Sequence, residues 1–104
     1  MKTVTVKELK SMMDSGEDFQ LIDVREPREY EAANIGGELI PLATVPVNVE
    51  KFEKDKKVIV YCRSGKRSAN AVNFMEQQGY DNLYNLEGGI LAWSDEIDPS
   101  IPKY

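Results

Sequence analysis

The chain has 104 residues, 41% hydrophobic and 30% charged, enough for one domain around one core and too few for two. Acidic residues outnumber basic ones 18 to 13, for a net charge of −5, so the dominant basic face of a nucleic-acid binder is missing. A lone cysteine and no histidine exclude an internal disulfide, a Cys-rich zinc site, a Cys–His or Ser–His–Asp relay and a thioredoxin-type resolving pair.

Residues 1–5 lack the apolar stretch of a secretory signal. No apolar run approaches the roughly 20 residues that span a bilayer. The expected location is the cytoplasm, with no membrane partner. Thr5-Val6-Lys7-Glu8 fits a capping box, Leu9, Met12 and Met13 follow at helical spacing, and Gly16 supplies the stop. Residues 19–24 read as a strand that ends where Arg25-Glu26-Pro27 turns the chain. Pro27 suits the first position of a helix running to about Ala33. Residues 38–42 predict a short strand and residues 47–52 a second short helix, while Lys51, Lys54, Lys56 and Lys57 form a solvated face.

Val58-Ile59-Val60-Tyr61 places four β-formers in a row without alternation, the pattern of a strand buried on both faces of a parallel sheet. Residues 67–78 predict a helix with Ala69, Val72 and Met75 on one stripe, Ala71 and Phe74 beside it, and Gly79 as its stop. A strand over 82–86, a turn at Gly88-Gly89 and a helix over 90–97 complete the chain. Strands alternating with helices predict one α/β domain over residues 1–104 with a mainly parallel sheet. Trp93 and Tyr80 read as packing residues, and Arg28, Glu29 and Glu31 as a helix surface. Gly88-Gly89 reads as a tight turn rather than a phosphate loop, because no Lys-Ser/Thr follows.

The segment Tyr61-Cys62-Arg63-Ser64-Gly65-Lys66-Arg67-Ser68 carries the chemistry. Cys62 directly follows a central strand, and ligands of open parallel sheets bind beyond the carboxyl ends of strands. A short strand-to-helix loop bending at Gly65 turns amide groups inward as an anion nest, and the helix N-terminus adds about half a positive charge. Arg63, Lys66 and Arg67 bring three further charges. A free thiol titrates near ~8.5, and comparable surroundings lower this to roughly 3.5–7.5. Cys62 is therefore expected to be substantially ionised at neutral pH. The bland alternative is a small buried hydrophobe, as a lone cysteine after an apolar strand often is.

Cys62-Arg63-Ser64-Gly65-Lys66-Arg67 resembles the active-site loop of the rhodanese sulfurtransferases. Leu21-Ile22-Asp23-Val24-Arg25-Glu26-Pro27-Arg28-Glu29-Tyr30 resembles that family's first signature, and Leu86-Glu87-Gly88-Gly89-Ile90-Leu91-Ala92-Trp93 its last. The resemblance spans nearly the whole chain. It implies a rhodanese-like three-layer fold, a five-stranded, mainly parallel sheet with helices on both faces. It also implies an enzyme of the thiosulfate sulfurtransferase class without a cofactor or metal. There Cys62 takes a sulfane sulfur as a persulfide, and Arg63, Ser64, Gly65, Lys66 and Arg67 form the loop that binds the anionic donor. Asp23 or Arg25 would buttress this loop by ion pairing; the other reading is a turn-forming carboxylate and a solvated arginine.

Where most of the family carries a His-Ile-Pro-Gly-Ala type sequence, this chain has Asn34-Ile35-Gly36-Gly37. That variant, with Leu39-Ile40-Pro41-Leu42 and the tail over 97–104, is similar to rhodanese domains fused behind adenylating enzymes of molybdopterin and thiamine biosynthesis. The likeness suggests a protein acceptor, a ubiquitin-like sulfur carrier or a thiol protein, besides a small donor such as thiosulfate. Two other classes remain. Cysteine phosphatases and arsenate reductases of related architecture place five residues between cysteine and arginine, whereas Arg67 here follows Cys62 after four. The shorter loop is too tight for a phosphoryl group yet holds one extra sulfur. A non-catalytic module of the same fold would commonly lose the cysteine that this chain keeps.

Overall fold

In the computed structural model, which describes all residues 1–104, five strands form one parallel sheet in the order β1-β5-β4-β2-β3. The strands are β1 (Lys2–Val4), β2 (Phe19–Asp23), β3 (Glu38–Leu39), β4 (Lys57–Tyr61) and β5 (Leu83–Leu86). The helices are α1 (Val6–Asp14), α2 (Pro27–Ala32), α3 (Lys66–Gln77) and α4 (Gly89–Glu96). The α/β architecture with a parallel sheet and helices on both faces is as expected.

Central strand β4 carries Val58, Ile59, Val60 and Tyr61, all fully buried, because the sheet is covered on both sides. Val58 and Val60 enter a core with Ile22, Phe52, Val72 and Met75, on the face that α3 covers. Ile59 and Tyr61 point the other way, to Leu9, Met12, Leu86 and Trp93 under α1 and α4. Trp93 and Tyr80 are both buried packing residues.

Local signals set most element ends. The Thr5 hydroxyl accepts from the Glu8 amide while the Glu8 carboxylate accepts from the Thr5 amide, closing the capping box. Gly16 and Gly79, both at positive φ, follow α1 and α3.

Four expectations change. The chain start forms strand β1, paired with β5, where sequence reading saw no strand. The strand over 38–42 shortens to β3, although Ile40 and Leu42 still donate to the carbonyls of Asp23 and Val24. Instead of a helix over 47–52, two 3-10 turns run over Leu42–Val47 and Val49–Lys51, separated by Asn48, whose φ of −124 and ψ of 21 lie outside the helical region. The buried stripe of α3 is also rotated from the predicted one: Ser68, Ala71, Val72 and Met75 face inward while Ala69 is half-buried.

The carboxyl ends of β2, β4 and β5 lie side by side, since these strands are neighbours and parallel. Three connections therefore meet at one end of the sheet: the turn into α2, the Cys62 loop into α3, and Glu87-Gly88 into α4.

Candidate active site

Cys62 leaves β4 directly after Tyr61 and is 1% exposed. Beyond it the chain turns through Arg63, Ser64 and Gly65 into α3, with Gly65 at φ 104, a left-handed conformation that favours glycine. The turn brings donors onto the sulfur. The Gly65 amide donates to Cys62 Sγ at 3.1 Å, the Ser68 amide does so at 3.4 Å, and the Ser68 hydroxyl lies 3.3 Å away. Burial pushes the Cys62 thiol up. Hydrogen bonds from the Ser68 hydroxyl and amide, with those of Gly65 and Ser64, outweigh it and hold the group below its ordinary value. The expected lowering thus stands, but its cause is the nest of donors more than the cations, for Arg63 and Lys66 are exposed.

A nest works only if the loop's carbonyl oxygens are occupied elsewhere. The first turn of α4 does this: Ile90 donates to the Cys62 carbonyl at 3.0 Å and Leu91 to the Arg63 carbonyl at 3.2 Å. Asn85 on β5 donates from Nδ2 to the Gly65 carbonyl at 3.1 Å. Backbone approaches so closely here that a Cβ on Gly89 would lie 2.6 Å from the Arg63 carbonyl oxygen and still nearer that of Cys62. The tight turn at Gly88-Gly89 therefore holds the Cys62 loop.

Arg67 pairs with a side chain of α2. Its guanidinium makes a two-pronged pair with the Glu29 carboxylate at 2.8 and 2.9 Å. Glu29 was expected on a solvated helix surface; instead its side chain is 12% exposed and pinned, because α2 runs beside the loop. The hydrogen bond from Arg67 holds the Glu29 carboxyl well below its usual range, at about 2. Arg25 is fully buried, so the solvated-arginine reading fails. Its guanidinium binds Asp23, also fully buried, through Nε and Nη2, and donates from Nη2 to the Ala33 carbonyl at 2.7 Å. The same guanidinium lies over the Tyr61 ring, 5.6 Å from its centre. Asp23 and Arg25 touch the loop only indirectly, by fixing the helix that carries Glu29. Tyr61 holds the variant Asn34–Gly37 segment: its hydroxyl donates to the Gly36 carbonyl at 2.8 Å and accepts from the Ile35 amide at 3.3 Å.

The profile of the rhodanese-like domain matches residues 5–96. The chain belongs to the rhodanese-like family. This rhodanese-like domain is 35% identical over 100 residues to the putative sulfurtransferase YtwF of Bacillus subtilis, covering 95% of the chain and 96% of that protein. It is 35% identical over 105 residues to the probable adenylyltransferase/sulfurtransferase MoeZ of Mycobacterium tuberculosis, covering 98% of the chain. The chain spans only 27% of that longer relative. A rhodanese-like domain protein from Staphylococcus aureus superposes with a TM-score of 0.85 at 34% identity, over 100% of this chain and 99% of that one.

Within this rhodanese-like domain, Cys62, Ser64, Gly65 and Arg67 come together as the loop, with Arg63 and Lys66 on its outer surface. Sequence reading gave Ser68, Asn85 and Glu29 no role at the site, although Ser68 lies within the segment it singled out. The first two carried a signal: Ser68 shares an apolar helical stripe with Val72 and Met75, and Asn85 interrupts a buried strand. Glu29 carried none. The largest surface concavity, about 390 Å³ beside Phe52 and Tyr80, shares no residue with the loop.

Proposed function

We propose that this rhodanese-like domain is a sulfurtransferase that carries a sulfane sulfur on Cys62 from an anionic donor, thiosulfate or a protein persulfide, to a nucleophilic acceptor. The observation that carries this reading is the convergence of the Gly65 and Ser68 amides and the Ser68 hydroxyl on one sulfur, in a chain with no other thiol. Such donors favour the thiolate, the nucleophilic form of the sulfur, without a neighbouring base. It attacks the outer sulfur of thiosulfate; the sulfur–sulfur bond breaks and sulfite leaves with the electron pair. The resulting persulfide has no second thiol with which to form an internal disulfide, so it waits for an outside nucleophile. Arg63 and Lys66, exposed on the loop, favour approach of an anion.

Two features favour sulfur over phosphorus. Only four residues separate Cys62 from Arg67, and the Arg67 guanidinium is already engaged by Glu29. The acceptor we infer is a protein that brings its own reactive atom to the loop, such as a thiol protein or the tail of a ubiquitin-like carrier. The similarity to MoeZ and the absence of a large cavity at the loop support this. A cytoplasmic setting, which keeps thiols reduced, suits the chemistry. Initial rates with thiosulfate and a small thiol should give the parallel-line pattern of a two-step exchange. Intersecting lines, or turnover retained in Cys62→Ser, would refute the proposal.

A further inference from the structure

The Ser68 hydroxyl has two partners and one proton. Its oxygen lies 3.3 Å from Cys62 Sγ and 2.5 Å from Asn85 Oδ1. Asn85 cannot supply the proton of the second contact, because its Nδ2 donates to the Gly65 carbonyl, which turns Oδ1 toward Ser68. Ser68 is fully buried and Asn85 is 8% exposed, so water does not stand in for a missing partner. A buried hydroxyl with a single proton and two acceptors occupies one hydrogen bond at a time.

The geometry points to Ser68 and Asn85 as a two-position hydrogen-bond switch that follows the charge on Cys62 Sγ. With Cys62 as thiol, Ser68 donates to Asn85 and its oxygen accepts the thiol proton. With Cys62 as thiolate, the hydroxyl turns to the sulfur and Asn85 Oδ1 loses its donor. Ser68 favours the charged sulfur and Asn85 opposes it by competing for the same proton. Both are positioning residues for the sulfur transfer proposed above, on which the purpose of the switch rests. On delivery, the acceptor thiolate bonds to the outer persulfide sulfur, the bond from that sulfur to Sγ breaks, and its electron pair stays on Sγ. No proton or oxidant is needed. Ser68 meets the charge as it appears.

The signs of two substitutions separate a switch from simple packing. Ser68→Ala removes a donor to the thiolate and should raise the Cys62 pKa by about one unit, a tenfold loss of thiolate at a fixed pH below it. Asn85→Leu frees the Ser68 proton for sulfur and should lower it. In the Ser68→Ala background, Asn85→Leu should no longer lower it, and Ser68→Thr should restore wild-type behaviour. The charged groups on the surrounding elements are unchanged in every variant: Arg63, Lys66 and Arg67 on the loop and α3, Asp23 on β2, Arg25 in the turn after it, Glu29 on α2, and Glu87 before α4. The readout is the rate of thiol alkylation against pH, with Asn85→Ala made in parallel should the leucine not fold. Opposite shifts that vanish in the double variant are expected. Shifts of the same sign, or an Asn85 effect that persists without Ser68, would overturn the switch. Alkylation needs no sulfur donor, so a wild-type protein that takes no sulfur would refute the transferase reading separately.

Discussion

Cys62 combines near-complete burial with a lowered pKa, and hydrogen bonds more than neighbouring charge reconcile the two. This separates the roles of the basic residues. Arg63→Ala should leave the alkylation curve of Cys62 nearly unchanged while raising the KM for thiosulfate several-fold at low salt, an effect that added salt erases. A large shift of the alkylation curve would return the activation to the cations. Glu29 has a different signature. Its folded-state value of about 2 lies below the ordinary 4.5, so its pair with Arg67 contributes stability above about pH 5, which is lost as the pH falls toward 2. A charge-assisted pair of this kind contributes about 1.5–3 kcal/mol, reduced here because Arg67 is 34% exposed. Urea midpoints measured from pH 6 down to 3 should fall more steeply for wild type than for Glu29→Gln. Equal slopes would show that the pair contributes nothing.

Secondary elements do not merely frame the loop; the first turn of α4 holds its carbonyls. Gly89 is irreplaceable on this account, because a Cβ there meets the backbone of Cys62 and Arg63, whereas one on Gly16 meets open space. Both glycines have positive φ, so alanine at either costs about 1–2 kcal/mol in backbone strain alone. Gly16→Ala should show that loss and full activity. Gly89→Ala should lose more stability and most activity, measured by thermal melting and sulfur transfer on the same preparations. The elements also show where sequence reading works. The Thr5–Glu8 box, the Pro27 start and the Gly79 stop are written in adjacent residues and were legible. Strand β1 was not, because three residues with one buried valine carry no periodicity and are ordered by pairing with β5. The 3-10 turns were misread because nothing in residues 47–52 marks the non-helical backbone of Asn48 that separates them.

Across the whole molecule, the sheet was legible because β4 is an unbroken apolar run and helices alternate with strands, which leaves few architectures. The loop was legible because Cys62 and its cations are contiguous. Its supports were not: Glu29, Ser68 and Asn85 lie on three elements and reach the loop only when the ends of β2, β4 and β5 align. The buried pair Asp23–Arg25 joins the sheet end to α2, and breaking it strands a charge in the interior. Arg25→Ala should destabilise the domain by about 3–5 kcal/mol, and a variant that also carries Asp23→Ala should recover part of that loss. A single substitution costing under about 1 kcal/mol in urea unfolding would place the pair among weak surface bridges. The central claim is that Cys62 is the carrier of sulfur. Intact mass measured after incubation with thiosulfate should increase by one sulfur atom, localised to Cys62, reversed by a reducing thiol and absent from Cys62→Ser. An unchanged mass, or the same gain in the serine variant, would contradict it.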